Sequence, residues 1–244
     1  MRRKLTILCW NVNKASVNRK NLWNKLKRIK FEVCALQEVR KIPEFFKENY
    51  NIVKKGEVAF LIKKSIKYMK VKTPLDRRGC LTLKLIINKK SIFITNVYFM
   101  HYTSPHVWYP QFYKKVLKYL KKSRKNGLLK KYIIICGDFE NARNFKPPYK
   151  AISKMLIDFI KELESLGYYD VVSYRYRNSG NSLWTFKIPR KSKKGYNYYQ
   201  LDYFFAPKEL KIIQSRLAPS NITRKYSNTT RISDHRYIMV KILV

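Results

Sequence analysis

Five carboxylates in this chain stand where apolar runs end. Glu38 follows "CALQ", Asp138 and Glu140 follow "IIICG", Asp202 sits inside "QLDYFF", and Asp234 precedes "HRYIMV". A carboxylate at the end of a buried strand loses hydration that only a cation or a hydrogen-bond donor restores. Each alone reads as a turn cap or as a partner for one of the many Lys and Arg side chains. Together they read as a shared catalytic cleft or as an all-oxygen site for a hard metal ion. Other acids, among them Glu44, Glu48, Asp158, Glu162, Glu164 and Glu209, lie on helical or polar segments where a solvated face explains them. His235, one of three histidines, stands between Asp234 and a core strand, a setting that favours a functional histidine, although a lone histidine is more often structural.

The elements that must carry these residues follow from periodicity. Strand-like runs occur at 4–10, 31–37, 57–62, 80–87, 91–99, 132–136, 169–174, 201–206 and 236–244. In "AISKMLIDFIKELESLG" the residues Ile152, Met155, Leu156, Phe159, Ile160 and Leu163 share a helical face, and Gly167 sits where a C-terminal cap belongs. Shorter amphipathic segments lie at 20–29 and 109–121. The pattern predicts a mixed α/β domain over 1–244, its sheets covered by helices. Cys9, Cys34, Cys80 and Cys136 sit in or beside apolar runs without C-x-x-C spacing. They predict buried, reduced thiols, neither a zinc site nor a disulfide framework.

Charge narrows the partners. The chain has 244 residues with 54 Lys+Arg against 15 Asp+Glu, a formal net charge of +39. A nucleic acid is the first partner this implies and an anionic membrane surface the second. A compositional bias that also enriches Ile, Tyr and Asn is the alternative source of the lysines. No apolar stretch reaches the length needed to span a bilayer, and Trp10–Asn11 arrives too early for a signal peptide. A soluble, cytoplasmic monomer is expected.

The ordered set "LCWNVN" (8–13), "LQEVR" (36–40), "TNVYF" (95–99), "CGDFENAR" (136–143), "LWTF" (183–186), "LDYFF" (201–205) and "SDH" (233–235) resembles the endonuclease/exonuclease/phosphatase superfamily. It is most similar to the exonuclease III and apurinic endonuclease branch. The resemblance implies two packed mixed β-sheets flanked by helices, a four-layer sandwich like that of deoxyribonuclease I. It implies a magnesium (or manganese) ion held mainly by Glu38, with Asp234 and Asn13 nearby. Asp138 would orient or deprotonate the attacking water, His235 would meet the phosphate, Asp202 would fix the His235 ring, and Asn11 would be a phosphate-side amide. The pattern G-D-x-N is broken, because Glu140 holds the Asn position and Asn141 follows. Either a bulge brings Asn141 into the amide role, which the need for a donor favours, or Glu140 occupies it as a metal ligand or base.

Tyr109 with Gln111 resembles the branch's Y-x-Q, whose Tyr reaches the phosphate; packing at a helix start is the alternative. His101 could stand for a second histidine or simply pack. Leu183, Tyr199 and Leu201 fall where apurinic enzymes build a pocket for a baseless sugar, and sheet packing would use them equally. Arg190, Lys191, Lys193 and Lys194 lie in an aromatic, cationic tract suited to phosphate contact. The expected activity is magnesium-dependent cleavage of double-stranded DNA at abasic sites, with a 3′-exonuclease activity. The alternatives are a low-specificity nuclease acting on DNA or RNA, and a nucleic-acid-binding protein with a degenerate site.

Overall fold

The computed structural model describes residues 3–75, 79–99, 105–125, 132–140, 150–176, 183–189, 196–219 and 232–244. The strands are β1 (Lys4–Ala15), β2 (Val33–Val39), β3 (Tyr50–Lys55), β4 (Val58–Lys63), β5 (Lys67–Lys70), β6 (Cys80–Ile87), β7 (Lys90–Tyr98), β8 (Tyr132–Asp138), β9 (Tyr168–Asp170), β10 (Phe186–Pro189), β11 (Tyr196–Tyr199), β12 (Asp202–Pro207), β13 (Ile212–Leu217) and β14 (Ile238–Leu243). The helices are α1 (Lys20–Arg28), α2 (Pro105–Lys125), α3 (Lys150–Ser165) and α4 (Val171–Tyr176). Two six-stranded sheets form, in the orders β13-β14-β1-β2-β4-β3 and β5-β6-β7-β8-β12-β9, with β10 and β11 as a separate two-stranded ribbon. Both sheets are mixed, since β1 pairs with β2 and β7 with β8 in parallel while their other neighbours run antiparallel.

The central strands read as unbroken apolar runs because both faces are covered. Along β1, Leu5, Ile7 and Cys9 enter the core between the sheets, while Leu8, Trp10 and Val12 pack beneath Leu22, Trp23 and Leu26 of α1. On β8, Ile134 and Cys136 face the inter-sheet core, and Ile133 and Ile135 meet α2 and α3 through residues such as Val116, Phe159 and Leu163. The layers are thus α1, sheet, sheet, and α2 with α3, the expected sandwich. Met155, Leu156, Phe159, Ile160 and Leu163 pack as the helical period requires; the side chain of Ile152 lies outside the described residues. All four cysteines are free and buried. Among the described residues no helix is long and apolar enough to cross a membrane.

One expected strand is corrected. The segment 169–174 is a strand only to Asp170, whose carboxylate then accepts hydrogen bonds from the Val172 N–H, at 3.2 Å, and from the Ser173 hydroxyl. That cap turns the chain into α4, with Val171 and Val172 buried.

Two local devices bind the sheets near one edge. Asn96 of β7 donates to the carbonyls of Leu36 on β2 (2.9 Å) and Ala59 on β4 (3.0 Å), and accepts a 2.6 Å bond from the Gln37 amide. Gly137 has φ +140°, and a Cβ there would stand 1.9 Å from the Val97 carbonyl oxygen on the neighbouring strand. Only glycine lets β8 reach β7 at this point. Gly137→Ala is therefore expected to lower stability by about 3 kcal/mol or more in urea unfolding, from backbone overlap and strain. Gly56→Ala, at φ +58° with open space around it, should lose only about 1 kcal/mol. Equal losses would show that the close approach is not what Gly137 serves.

Candidate active site

The strand ends that carry the acids converge at the edge joined by Asn96. Asn11, near the end of β1, donates through Nδ2 to Glu38 Oε1 at 2.9 Å and to Asp138 Oδ2 at 2.6 Å, so one neutral amide spans carboxylates from both sheets. Glu38 takes φ +54° and Glu140 φ +46°, conformations unusual for a residue with a side chain. The left-handed turn at Glu38 follows Gln37, which is tethered to Asn96. At Glu140 the N–H donates to Asp138 Oδ1 (2.8 Å), and the carbonyl accepts the Tyr109 hydroxyl (3.1 Å). These bonds fix a bend that brings ligand atoms of Glu38, Asp138 and Glu140 within 4.8 Å of one another.

The histidine is held on every side. Its Nδ1 lies 2.8 Å from Asp202 Oδ2, which assigns the proton to Nδ1 when the ring is neutral and turns Nε2 toward Asp138 Oδ2, 3.8 Å away. The His235 N–H donates to Ser233 Oγ (3.1 Å), Ser233 donates to the Asn11 carbonyl (2.8 Å), and the Trp10 indole donates to the His235 carbonyl (3.1 Å). Phe186 lies against the imidazole with ring centroids 4.8 Å apart. Asp202 is placed opposite Asp138 in the β8–β12 ladder, and the Thr185 hydroxyl accepts the N–H groups of Leu201 and Asp202, each at 3.0 Å.

Burial sets the proton affinities. Asp138 is fully buried, and desolvation, reinforced by the charges of Glu140 and Asp202, raises its pKa well above the carboxylate range. For His235 burial opposes the charged ring, but Asp202, Asp138 and Asp234 outweigh it and raise its pKa. Glu140 is pushed up to about 7 by burial, with Glu38, Asp202 and Asp234 adding to the rise against the lowering effect of His235. The donor set suits a hard divalent cation: Glu38, Asp138 and Glu140 offer only oxygen, and buried Asp202 Oδ1 has no hydrogen-bond partner among the described residues. Excess buried negative charge of this kind calls for a cation.

Other sequence expectations fare differently. Asn13 would lie one pleat beyond Asn11 on a regular strand, but Asn13 and Lys14 both have positive φ and the register shifts between Asn11 and Ala15, so the pleat relation is lost. The Asn13 N–H donates instead to the Asn11 side-chain oxygen at 2.8 Å. The Asn11 amide meets carboxylates, and the Tyr109 hydroxyl meets the Glu140 carbonyl. Leu201 is buried and Leu183 packs against the inter-sheet core, while Tyr199 is half-buried on β11 beside Phe186. Asp234 adjoins His235 and adds to its charge environment. Asn141, Arg190, Lys191, Lys193, Lys194 and His101 lie outside the described residues.

Sequence reasoning gave no role to Asn96 and Thr185, although both stand within the motifs "TNVYF" and "LWTF", and it did not single out Arg19. Arg19 clamps the irregular end of β1 to the segment before Ser233, donating to the carbonyls of Asn13 (3.1 Å) and Ile232 (2.7 Å). Their signal is the polar residue itself, set beside apolar neighbours without a partner nearby in sequence.

No family model matches the sequence, and no curated protein does. Solved structures do match. An AP endonuclease, LMAP from Leishmania major, aligns over 98% of this chain and 88% of its own, at 16% identity and TM-score 0.70. A 3′ phosphatase, NExo from Neisseria, bound to a product DNA hairpin, aligns over 97% and 98%, at 17% identity and TM-score 0.70. The D. rerio TDP2 complexed with a single-strand DNA product aligns over 98% of both chains, at 16% identity and TM-score 0.63. The chain has the deoxyribonuclease I-like fold of these structures, two mixed six-stranded sheets flanked by helices. Within that fold, the Asn11–Asp138–His235–Asp202 arrangement joins strands of both sheets. The identities are low, so the likeness is one of architecture.

Proposed function

We propose that this protein is a magnesium-dependent DNA phosphodiesterase, an apurinic/apyrimidinic endonuclease of exonuclease III type. The observation that carries the reading is the chain of contacts from Glu38 through Asn11 to Asp138, and from Asp138 across to His235 and Asp202. A hydrolytic site needs a base for water, a positive group for the phosphate and fixed distances between them. Asp138 is the base: it is buried, and its raised pKa makes its carboxylate an avid proton acceptor. His235, held charged by Asp202, faces the non-bridging phosphate oxygens. Asn11 keeps Glu38 and Asp138 at a set separation without adding charge. Water attacks phosphorus in line with the departing 3′-oxygen, leaving a 3′-hydroxyl and a 5′-phosphate. A magnesium ion, or manganese, held by Glu38 and Glu140 would supply the Lewis-acid charge that neutralises the phosphate and the leaving oxygen. The net charge of +39 supports a polyanionic substrate, as do the DNA-bound structures that the fold resembles.

A second reading rests on Leu183 and Leu201. Both are engaged in packing, which favours a nuclease of low specificity over one with a preformed pocket for a baseless sugar. The deciding experiment offers three substrates: a duplex with one abasic analogue, the intact duplex, and a single strand, each with magnesium and with excess chelator. Cleavage confined to the abasic duplex and to magnesium is expected. Equal cleavage of all three establishes the second reading, and full activity in chelator removes the metal from the account.

The pKa of Glu140 gives a pH test of its role. Below about 7 its carboxyl carries a proton that the ion must displace, so magnesium affinity should fall about tenfold per pH unit below 7 and level off above it. Glu140→Gln should flatten that profile. Calorimetric titration from pH 5.5 to 8.5 reads both, and an unchanged profile in the variant would exclude Glu140 from the metal.

A further inference from the structure

A basic groove lies on the outer face of the first sheet, opposite the inter-sheet face to which Asn11 belongs. A groove of about 200 Å³ is lined by Thr6, Lys30, Gln214, Arg216, Met239 and Lys241. Register explains its floor: Thr6 pairs with Lys241 across β1 and β14, and Lys241 with Gln214 across β14 and β13, while Arg216 pairs with Met239 one step along. These side chains share the face on which Leu8, Trp10 and Met239 pack near α1. Lys30 enters from the end of α1. Among the described residues the Lys30 and Lys241 ammonium groups have no ion pair or hydrogen bond, and the Arg216 guanidinium contacts Met239 Sδ at 3.9 Å. The neighbouring acid, Glu32, accepts the Thr6 N–H at 2.7 Å.

We infer that this groove binds the phosphodiester backbone of a nucleic-acid strand at a place separate from the cleavage site. Three cations gathered in one concavity repel one another and gain from an anion between them. A strand of phosphates fits better than a single small anion, because three cations line the groove and the last turn of α1, just before Lys30, adds the exposed cations Lys25 and Arg28. Thr6 precedes Asn11 by five residues, about 17 Å along the strand at about 3.3 Å per residue, and Asn11 faces the opposite side of the sheet. A nucleic acid in the groove is thus a distal arm of a long substrate or a second segment, bound without being cut.

The inference rests on the nucleic-acid reading, and its test separates the two. The triple variant Lys30→Gln/Arg216→Gln/Lys241→Gln is compared with Lys64→Gln/Lys67→Gln/Lys70→Gln, an equal loss of charge at exposed lysines elsewhere. Binding of 60-base-pair and 12-base-pair duplexes is followed by anisotropy over a salt series. The groove variant should bind the long duplex about tenfold more weakly, with a log–log salt slope smaller by about 2.7, from three contacts at about 0.9 each. Its cleavage of the short duplex should match wild type. Equal losses in both variants would overturn the site in favour of diffuse charge. So would inorganic phosphate binding that needs the three cations while the long duplex binds both variants alike. If wild type binds neither duplex at any salt, the proposed function itself falls.

Discussion

Asp138→Asn should lower kcat by about a thousandfold or more, while its stability loss at neutral pH should be smaller than its loss at acid pH. The catalytic loss follows from the base: an amide accepts no proton from water, and removal of a positioned base is worth about two to four orders of magnitude. Geometry adds to it. Asp138 accepts from the Asn11 amide through one oxygen and from the Glu140 N–H through the other, and an Asn side chain can satisfy one of these donors while its own NH₂ confronts the second. The stability effect depends on pH because burial raises the carboxyl pKa in the folded state. The folded protein then binds the proton more tightly than the unfolded chain does. Stability from this group is present below its unfolded pKa, about 3.9, and declines as pH rises toward the folded value. Above the unfolded pKa and in the absence of metal, burial of this ionisable carboxyl therefore opposes folding, and Asn removes that opposition. Single-turnover cleavage and metal-free thermal unfolding read the two effects; a fast Asp138→Asn enzyme would remove Asp138 from the role of base.

Glu38→Gln should reduce kcat by a comparable factor for a different reason. The amide keeps the volume of the side chain and an oxygen that can accept the Asn11 bond, so the positive-φ turn and the anchor at Gln37 persist. What it loses is charge toward the ion, and with it electrostatic stabilisation of the transition state. Magnesium affinity should fall about a hundredfold, duplex affinity should change by less than about threefold, and saturating magnesium should restore part of the rate. Unaltered magnesium affinity alongside a dead enzyme would move Glu38 from metal ligand to substrate contact.

The central strands and the acids at their ends were legible in sequence because burial on both faces leaves unbroken apolar runs, and a carboxylate at the end of such a run stands out. Edge strands were not. "YNIVKK", "KYMK" and "IIQSRL" form β3, β5 and β13, but edge position and exposed faces admit polar residues and erase the signal. Part of the site was hidden for a second reason. The bonds from Asn96 to Leu36 and Ala59 and from Arg19 to Ile232 join residues 60, 37 and 213 positions apart, and no local spacing encodes them. Asp170 shows the opposite case, a local cap strong enough to end a strand that β-branched residues would have prolonged.

The bonds that lock His235 also set an order of assembly. Trp10 and His235 are 225 residues apart, Ser233 and Asn11 222, and Asn11 and Asp138 127. Closing loops of that length is slow, and contacts that depend on it form late. During synthesis Asp138 of β8 and Asp202 of β12 emerge before the strand that follows His235, so the growing chain holds these carboxylates before the imidazole that they flank. The His235 locks close only when β14 docks beside β1.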